Sequence, residues 1–251
     1  MATNVVIITG SSGGIGAALV EEFFGAGYQI VGLDKSLPGT SDAPMLAEVR
    51  VDLFQYSNCG NYRLGINKQI LAVLPKEMTS LTIINNAATQ ILAPMQLLSQ
   101  DHINQSLGVN AVAPFFLVQS LIEILKQYRG VVINVGSIHA KLTKKNFLAY
   151  SSSKACLDAI TRAMAIELAS DGIRVNGVSP AAIKTDMLVE GLSHTIGALN
   201  NLEKYHPTNS IGTPAELAGF IRLIAEGVKI FATGSIFEFS GGITHRLHDP
   251  E

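Results

Sequence analysis

Short apolar runs alternate with helical stretches along the whole of this chain, and few architectures accept such a pattern. The strand candidates are Val5–Thr9, Gln29–Leu33, Glu48–Val51, Leu81–Asn85, Gly130–Val135, Arg174–Ser179 and Ser235–Phe239. Between them fall helix candidates at Ile15–Ala26, Cys59–Leu74, Asp101–Gln127, Ala149–Ser170 and Pro214–Glu226. Such alternation implies a parallel sheet covered by helices on both faces. The punctuation agrees: Gly27 follows the first helix as a C-terminal cap, Asp171 and Gly172 close the fourth, and Thr213 and Pro214 open the last. No linker or composition break divides the 251 residues, so one domain over 1–251 is expected. Its longest stretch without a core pattern, 181–212, is expected to be a loop over a substrate.

The first strand runs directly into Thr9, Gly10, Ser11, Ser12, Gly13, Gly14, Ile15 and Gly16. Glycines let the backbone turn sharply and approach a pyrophosphate, while the following helix offers free N–H groups and the positive end of its dipole. A plain glycine-rich loop is the alternative. The second strand weighs against it, because it ends at Asp34, twenty positions after Gly14. A carboxylate there accepts hydrogen bonds from a ribose hydroxyl and repels a 2′-phosphate. NAD is therefore expected rather than NADP, with adjacent Lys35 a partial offset.

Further along, Tyr150 and Lys154 are four apart, so on a helix they share a face. A free phenol has a pKa of about 10, and a nearby ammonium favours its charged form. Tyr150 then exchanges a proton with an alcohol or carbonyl oxygen. Taken alone, Tyr-x-x-x-Lys is a common surface pair. Ser137 follows a strand and Gly136, at the sheet edge where ligands gather, and its hydroxyl suits a substrate oxygen that acquires charge. Asn110 stands four residues before Pro114, which has no N–H to give its carbonyl. That carbonyl can hold a water, or the helix is simply kinked around a satisfied buried amide.

Composition narrows the partners. Only 15% of the residues are charged, 47% are hydrophobic and the formal charge is −2, with no dense Lys/Arg stripe, so no nucleic-acid partner is expected. Cys59 and Cys156 make neither a disulfide framework nor a metal pair. No apolar run approaches the roughly 18 residues of a membrane span, and no signal-peptide pattern opens the chain, so a cytoplasmic protein is expected. His245 and His248 have a metal-like spacing but no third ligand, and no metal is expected. His139, two residues past Ser137, faces either a substrate or solvent.

These residues, in order, resemble the short-chain dehydrogenase/reductase family over nearly the full length. The match runs through Thr9, Gly10, Gly14, Gly16, Asp52, Asn85-Asn86-Ala87, Asn110, Ser137, Tyr150, Lys154, Ser179-Pro180 and Thr185. The resemblance implies an α/β Rossmann-type, doubly wound, seven-stranded parallel sheet of order 3-2-1-4-5-6-7. It also implies a catalytic tetrad of Asn110, Ser137, Tyr150 and Lys154. The cofactor would then lie on Gly10, Ser12, Gly14, Ile15 and Gly16, with Asp34 at the ribose and Asp52 and Leu53 at the adenine. Asn86 and Ala87 would border the adenosine side, Ile183 the carboxamide and Thr185 the phosphate or amide region, with Tyr150 and Lys154 completing the nicotinamide end. Homotetramers or dimers are implied through the helices carrying Asn110 and Tyr150, whose apolar patches 111–118 and 155–165 suit such packing. Ala88 and Ala181 depart from the family's glycines, and a methyl at either would shift the cradle slightly.

The expected function is NAD-dependent hydride transfer on a small-molecule alcohol or carbonyl. The alternatives are an NADP-preferring enzyme similar to the 3-oxoacyl carrier-protein reductases, which Asp34 disfavours, and a catalytically silent dinucleotide sensor or scaffold. The retained tyrosine and lysine argue against the last.

Overall fold

Along β1 (Thr3–Thr9), Val5 and Ile7 face one side and Val6 and Ile8 the other, and all four are wholly buried. A strand apolar on both faces belongs inside a sheet covered twice. The computed structural model, which describes residues 3–36, 44–192, 197–227 and 231–247, shows that sheet. β1 pairs in parallel with β2 (Gln29–Asp34) and β4 (Met78–Asn85), aligning Ile7 with Val31 and Ile83. With β3 (Ala47–Arg50), β5 (Val131–Val135), β6 (Arg174–Pro180) and β7 (Ile236–Phe239), the order is β3-β2-β1-β4-β5-β6-β7, as the resemblance implies. The chain order reverses between β1 and β4, and the strand ends beside that reversal carry the expected site residues.

The ten α-helices of the described residues are α1 (Gly14–Gly25), α2 (Leu53–Asn58), α3 (Gly60–Val73), α4 (Gln100–Leu107), α5 (Ala113–Ser120), α6 (Ile122–Tyr128), α7 (Leu148–Leu168), α8 (Asp186–Leu192), α9 (Ala198–Tyr205) and α10 (Pro214–Glu226). Leu19 and Phe23 of α1 join Leu217 and Ile221 of α10 over Val6, Ile8 and Ile133. On the opposite face, Leu117, Leu121, Leu125, Met164 and Leu168 cover Val5, Ile7 and Val132. Each such side chain contributes about 2 kcal/mol by leaving water. Gly27, at φ +84°, ends α1, and a reciprocal hydrogen-bonded cap between Thr213 and Glu216 opens α10.

Three local structures differ from the sequence reading. The single helix expected over Asp101–Gln127 is interrupted by a wide π turn at Gly108–Val112, in which the Ala113 N–H reaches the Gly108 carbonyl. Pro114 supplies no amide hydrogen, so the ladder must widen or break there. The helix bends by 63° again before α6. Asp52 starts a separate short helix, its carboxylate accepting from Phe54 N and Gln55 N at 2.9 and 3.2 Å. Finally, 181–212 contains α8 and α9, with its base closed by a bridge between Ile183 and Gly212. Residues 193–196 and His248 lie outside the described set.

Within the patch 111–118, Ala111, Ala113, Leu117 and Val118 are buried in the chain's own core, while Val112, Phe115 and Phe116 are partly exposed. Neither Ala88 nor Ala181 has a positive φ, so neither methyl strains its turn. Among the described residues no single helix is long and apolar enough to cross a membrane.

Candidate active site

The glycine turn is held from two sides. Gly10 adopts φ +67°, and its N–H reaches the Leu33 carbonyl at 2.7 Å. From β4, the Asn86 side chain donates to the carbonyls of Thr9 and Gly10, while Thr9 Oγ1 accepts from the N–H groups of Asn86 and Ala87. A Cβ on Gly14 would meet the Thr185 methyl at 2.9 Å, so the turn and the segment after β6 lie side by side. Gly13 caps α1 without a side chain, and the first turn holds no acid, which leaves its N–H groups for an anion. Ser11 Oγ is wholly buried yet unpartnered. This uncapped turn, with no room for a Cβ at Gly10, Gly14 or Gly16, fits a dinucleotide.

Asp34 stands at the end of β2, its two carboxylate oxygens accepting from Ser12 N and Ser36 N, each at 2.9 Å. Lys35 is drawn away to Asp52 at 3.0 Å, while Arg50, the cross-strand partner of Asp34, donates from Nε to the Lys35 carbonyl at 3.1 Å. Burial pushes the Asp52 carboxyl up, but Lys35 and the N–H groups of Gln55 and Phe54 together bring it below its ordinary range. Leu53 follows as the first residue of α2, and Ile15 is half-buried in the opening turn of α1. Ile183 is buried at the neck of the 181–212 segment.

Of the four residues expected to form the tetrad, Ser137, Tyr150 and Lys154 gather at the end of β5, and Asn110 is joined to their helix through Ser153. Ser137 is buried, its Oγ accepts from His139 N at 3.2 Å, and its side chain opposes the upward push of burial on the Tyr150 phenol. Lys154, 2% exposed, donates from Nζ to the Val135 carbonyl at 2.7 Å and lies 5.8 Å from the centre of the Tyr150 ring. The sequence reading sets the Lys154 charge directly on the phenol. The structure instead gives that ammonium to a backbone carbonyl. Burial holds the Tyr150 phenol above its ordinary pKa of 10, against the opposing Ser137 hydrogen bond, so at neutral pH Tyr150 is a protonated acid. Burial likewise lowers Lys154 to about 8, with Asp158 opposing.

Asn110 is the satisfied buried amide. Its Oδ1 accepts from Thr89 N at 2.8 Å, and its Nδ2 donates to Thr89 O at 2.9 Å and Ser153 Oγ at 2.8 Å. The side chain thereby ties the strand β4 exit to α7. Thr89 and Ser153, which sequence reasoning did not single out, are the anchors of this arrangement. Replacing Asn110 by alanine removes three hydrogen bonds and leaves the Thr89 amide unpaired. We expect about 3 kcal/mol of destabilisation, read by urea unfolding.

Above Tyr150, His139 and Phe147 complete an aromatic wall, with ring centres 4.4 Å apart and each about 6 Å from the phenol (6.1 and 6.2 Å). His139 is half-buried, and burial and then the Lys144 charge lower its pKa. His245 meets Glu238 at 3.3 Å.

Comparison with known proteins gives a family match and a matching fold. The family model for short chain dehydrogenase matches residues 4–195. Protein FixR of Bradyrhizobium diazoefficiens is 30% identical over 256 residues, spanning 95% of this chain and 86% of that one. The 3beta-hydroxysteroid dehydrogenase 1 of Eggerthella lenta is 26% identical over 256 residues, spanning 96% and 94%. Among solved structures, a 4-hydroxyisoleucine dehydrogenase mutant complexed with NADH and succinate superposes with a TM-score of 0.85 at 26% identity, covering 97% of this chain and 100% of that one.

Proposed function

The chain belongs to the short-chain dehydrogenase family, and from that premise we propose that it moves a hydride between NAD and the reactive carbon of a small-molecule alcohol or ketone. The observation that carries this reading is the Tyr150 hydroxyl, whose pKa burial raises and the Ser137 side chain lowers, one helical turn from buried Lys154. A bound nicotinamide would supply the hydride acceptor or donor. Gly10, Ser12, Gly14, Ile15 and Gly16 would hold its pyrophosphate side, Asp34, Asp52, Leu53, Asn86 and Ala87 the adenosine, and Ile183 and Thr185 the nicotinamide end.

In carbonyl reduction, Tyr150 gives its hydroxyl proton to the substrate oxygen, and in alcohol oxidation it takes that proton back. Ser137 Oγ donates to the same oxygen as charge collects there. Lys154 places positive charge beneath the phenol, and Asn110 fixes the floor through Thr89 and Ser153. The test is turnover across alcohols and ketones in both directions, followed at the NADH absorbance band. No turnover with any of them would favour a dinucleotide sensor.

The preference for NAD follows from Asp34. Both of its oxygens already gather N–H groups on the ribose side of the turn, and Lys35 is committed to Asp52. A 2′-phosphate would meet that carboxylate with no free cation from Lys35. Replacing Asp34 by alanine is expected to lower the kcat/KM ratio of NAD over NADP by roughly 10–100-fold, the worth of a charged hydrogen bond. A ratio unchanged by the substitution refutes the assignment. A cytoplasmic homodimer or homotetramer fits the same reading, with Ile166 of α7, 79% exposed, offering an apolar contact.

A further inference from the structure

One helical turn beyond Lys154, on the same face of α7, stands Asp158, a carboxylate only 5% exposed. Tyr150, Lys154 and Asp158 therefore form a ladder of four-residue steps down one side of the helix. Its lowest rung packs on the backbone after β5, where a Cβ built on Gly136 would lie 3.1 Å from Asp158 Oδ1. The middle rung is tied to the residue before, because Lys154 Nζ donates to the Val135 carbonyl. Two buried, oppositely charged groups thus share one two-residue stretch of β5 and its exit.

A carboxylate is not buried without cause, since the charged form loses its water unless opposite charge lies close. Burial drives the Asp158 carboxyl upward, and Arg162, Lys141 and Lys154 pull it back. The reverse influence bears on catalysis. A lysine in so dry a place tends to discharge, and Asp158 is the charge that opposes this at Lys154. The other ionisable groups around the pair are Tyr150 and Arg162 on α7, His139 and Lys141 on the turn after β5, and Glu238 on β7. Lys141 is already bound to Glu238 at 3.2 Å, and His245 reaches the same carboxylate.

We propose that Asp158 is a positioning residue for the hydride-transfer site, keeping Lys154 an ammonium through neutral pH and so maintaining the charge beneath Tyr150. This rests on the function proposed above. With Lys154 poised at about 8, little margin separates the charged enzyme from the discharged one.

The test compares Asp158→Asn with the native enzyme in carbonyl reduction across the pH range. At pH 6 the variant should keep kcat within about threefold of native, and by pH 8 fall about fivefold below it, its midpoint moved acidward by about one unit. Asp158→Glu should restore much of the native profile. Profiles that superimpose, or a loss equal at every pH, would overturn the proposal. Nitrogen-15 NMR of labelled lysine, with the Lys154 signal assigned by its absence in Lys154→Met, reads the same titration without turnover. An acidward move of that signal with no activity on any substrate would uphold the role of Asp158 and sink the assigned chemistry instead. An unmoved signal sinks the role itself. Should the asparagine variant not fold, Asp158→Ser gives the same two readouts.

Discussion

Replacing Tyr150 by phenylalanine lowers kcat about a thousandfold in both directions, the usual worth of a positioned acid–base group. Dinucleotide affinity changes by less than about threefold, because the glycine turn, Asp34 and Lys154 are untouched. The ring stays in its wall with His139 and Phe147, so the melting temperature hardly moves. The pH profile supplies a second signature. Burial holds the phenol protonated at neutral pH, ready to donate in carbonyl reduction. Alcohol oxidation needs the deprotonated form, so its rate should climb as pH rises toward the phenol pKa. In the phenylalanine variant that climb disappears. Stopped-flow turnover and calorimetric titration with NAD measure the two halves, and activity within about tenfold of native would require another proton carrier.

The largest structural effect is expected at Gly16. A Cβ there would stand 1.7 Å from the Gly10 carbonyl oxygen and 2.7 Å from its carbon. Both neighbours are backbone, so no side-chain rotation relieves the clash, and either the turn opens or α1 retreats. Gly16→Ala should cost about 3 kcal/mol or more, a fall in Tm of roughly 10 °C for a chain of this size. Dinucleotide affinity should drop about a hundredfold, since the N–H groups of the turn are displaced together. Gly13 is the matched control. It is extended at φ −100°, and a Cβ there meets nothing within 4 Å. Gly13→Ala should therefore change Tm little, and thermal melts followed by circular dichroism separate the two.

All seven strands were legible, β1, β4 and β5 because buried parallel strands are apolar runs, and edge strand β3 although it exposes Glu48 and Arg50. Their ends, Thr9, Asp34, Asn85 and Val135, were readable within a residue or two. The glycine turn was legible for a different reason: glycine is placed where no Cβ fits, and three of the sites that would clash here are Gly10, Gly14 and Gly16. What the sequence hid depended on through-space neighbours. No spacing reveals that the Lys154 ammonium is received by Val135 rather than by the phenol. Asp158 reads as an ordinary solvated acid of an amphipathic helix until the fold lays Gly136 against it. The Asn110 segment was legible in part: the missing Pro114 amide implies the kink and its buried amide, while apolar periodicity continues through the π turn and hides its extent. Asp52 was noticed for the adenine, while its capping of a six-residue helix went unseen.

The bridge between Ile183 and Gly212, reinforced by hydrogen bonds from Lys184 N to Gly212 O and from Gly212 N to Ala182 O, pins entry and exit of the intervening stretch at one neck. Length changes inside it leave the anchoring pair in place and cost little extra closure entropy. On the proposed function the molecule would be modular: one cassette could be lengthened or exchanged to recognise a new compound while the sheet beneath keeps its shape.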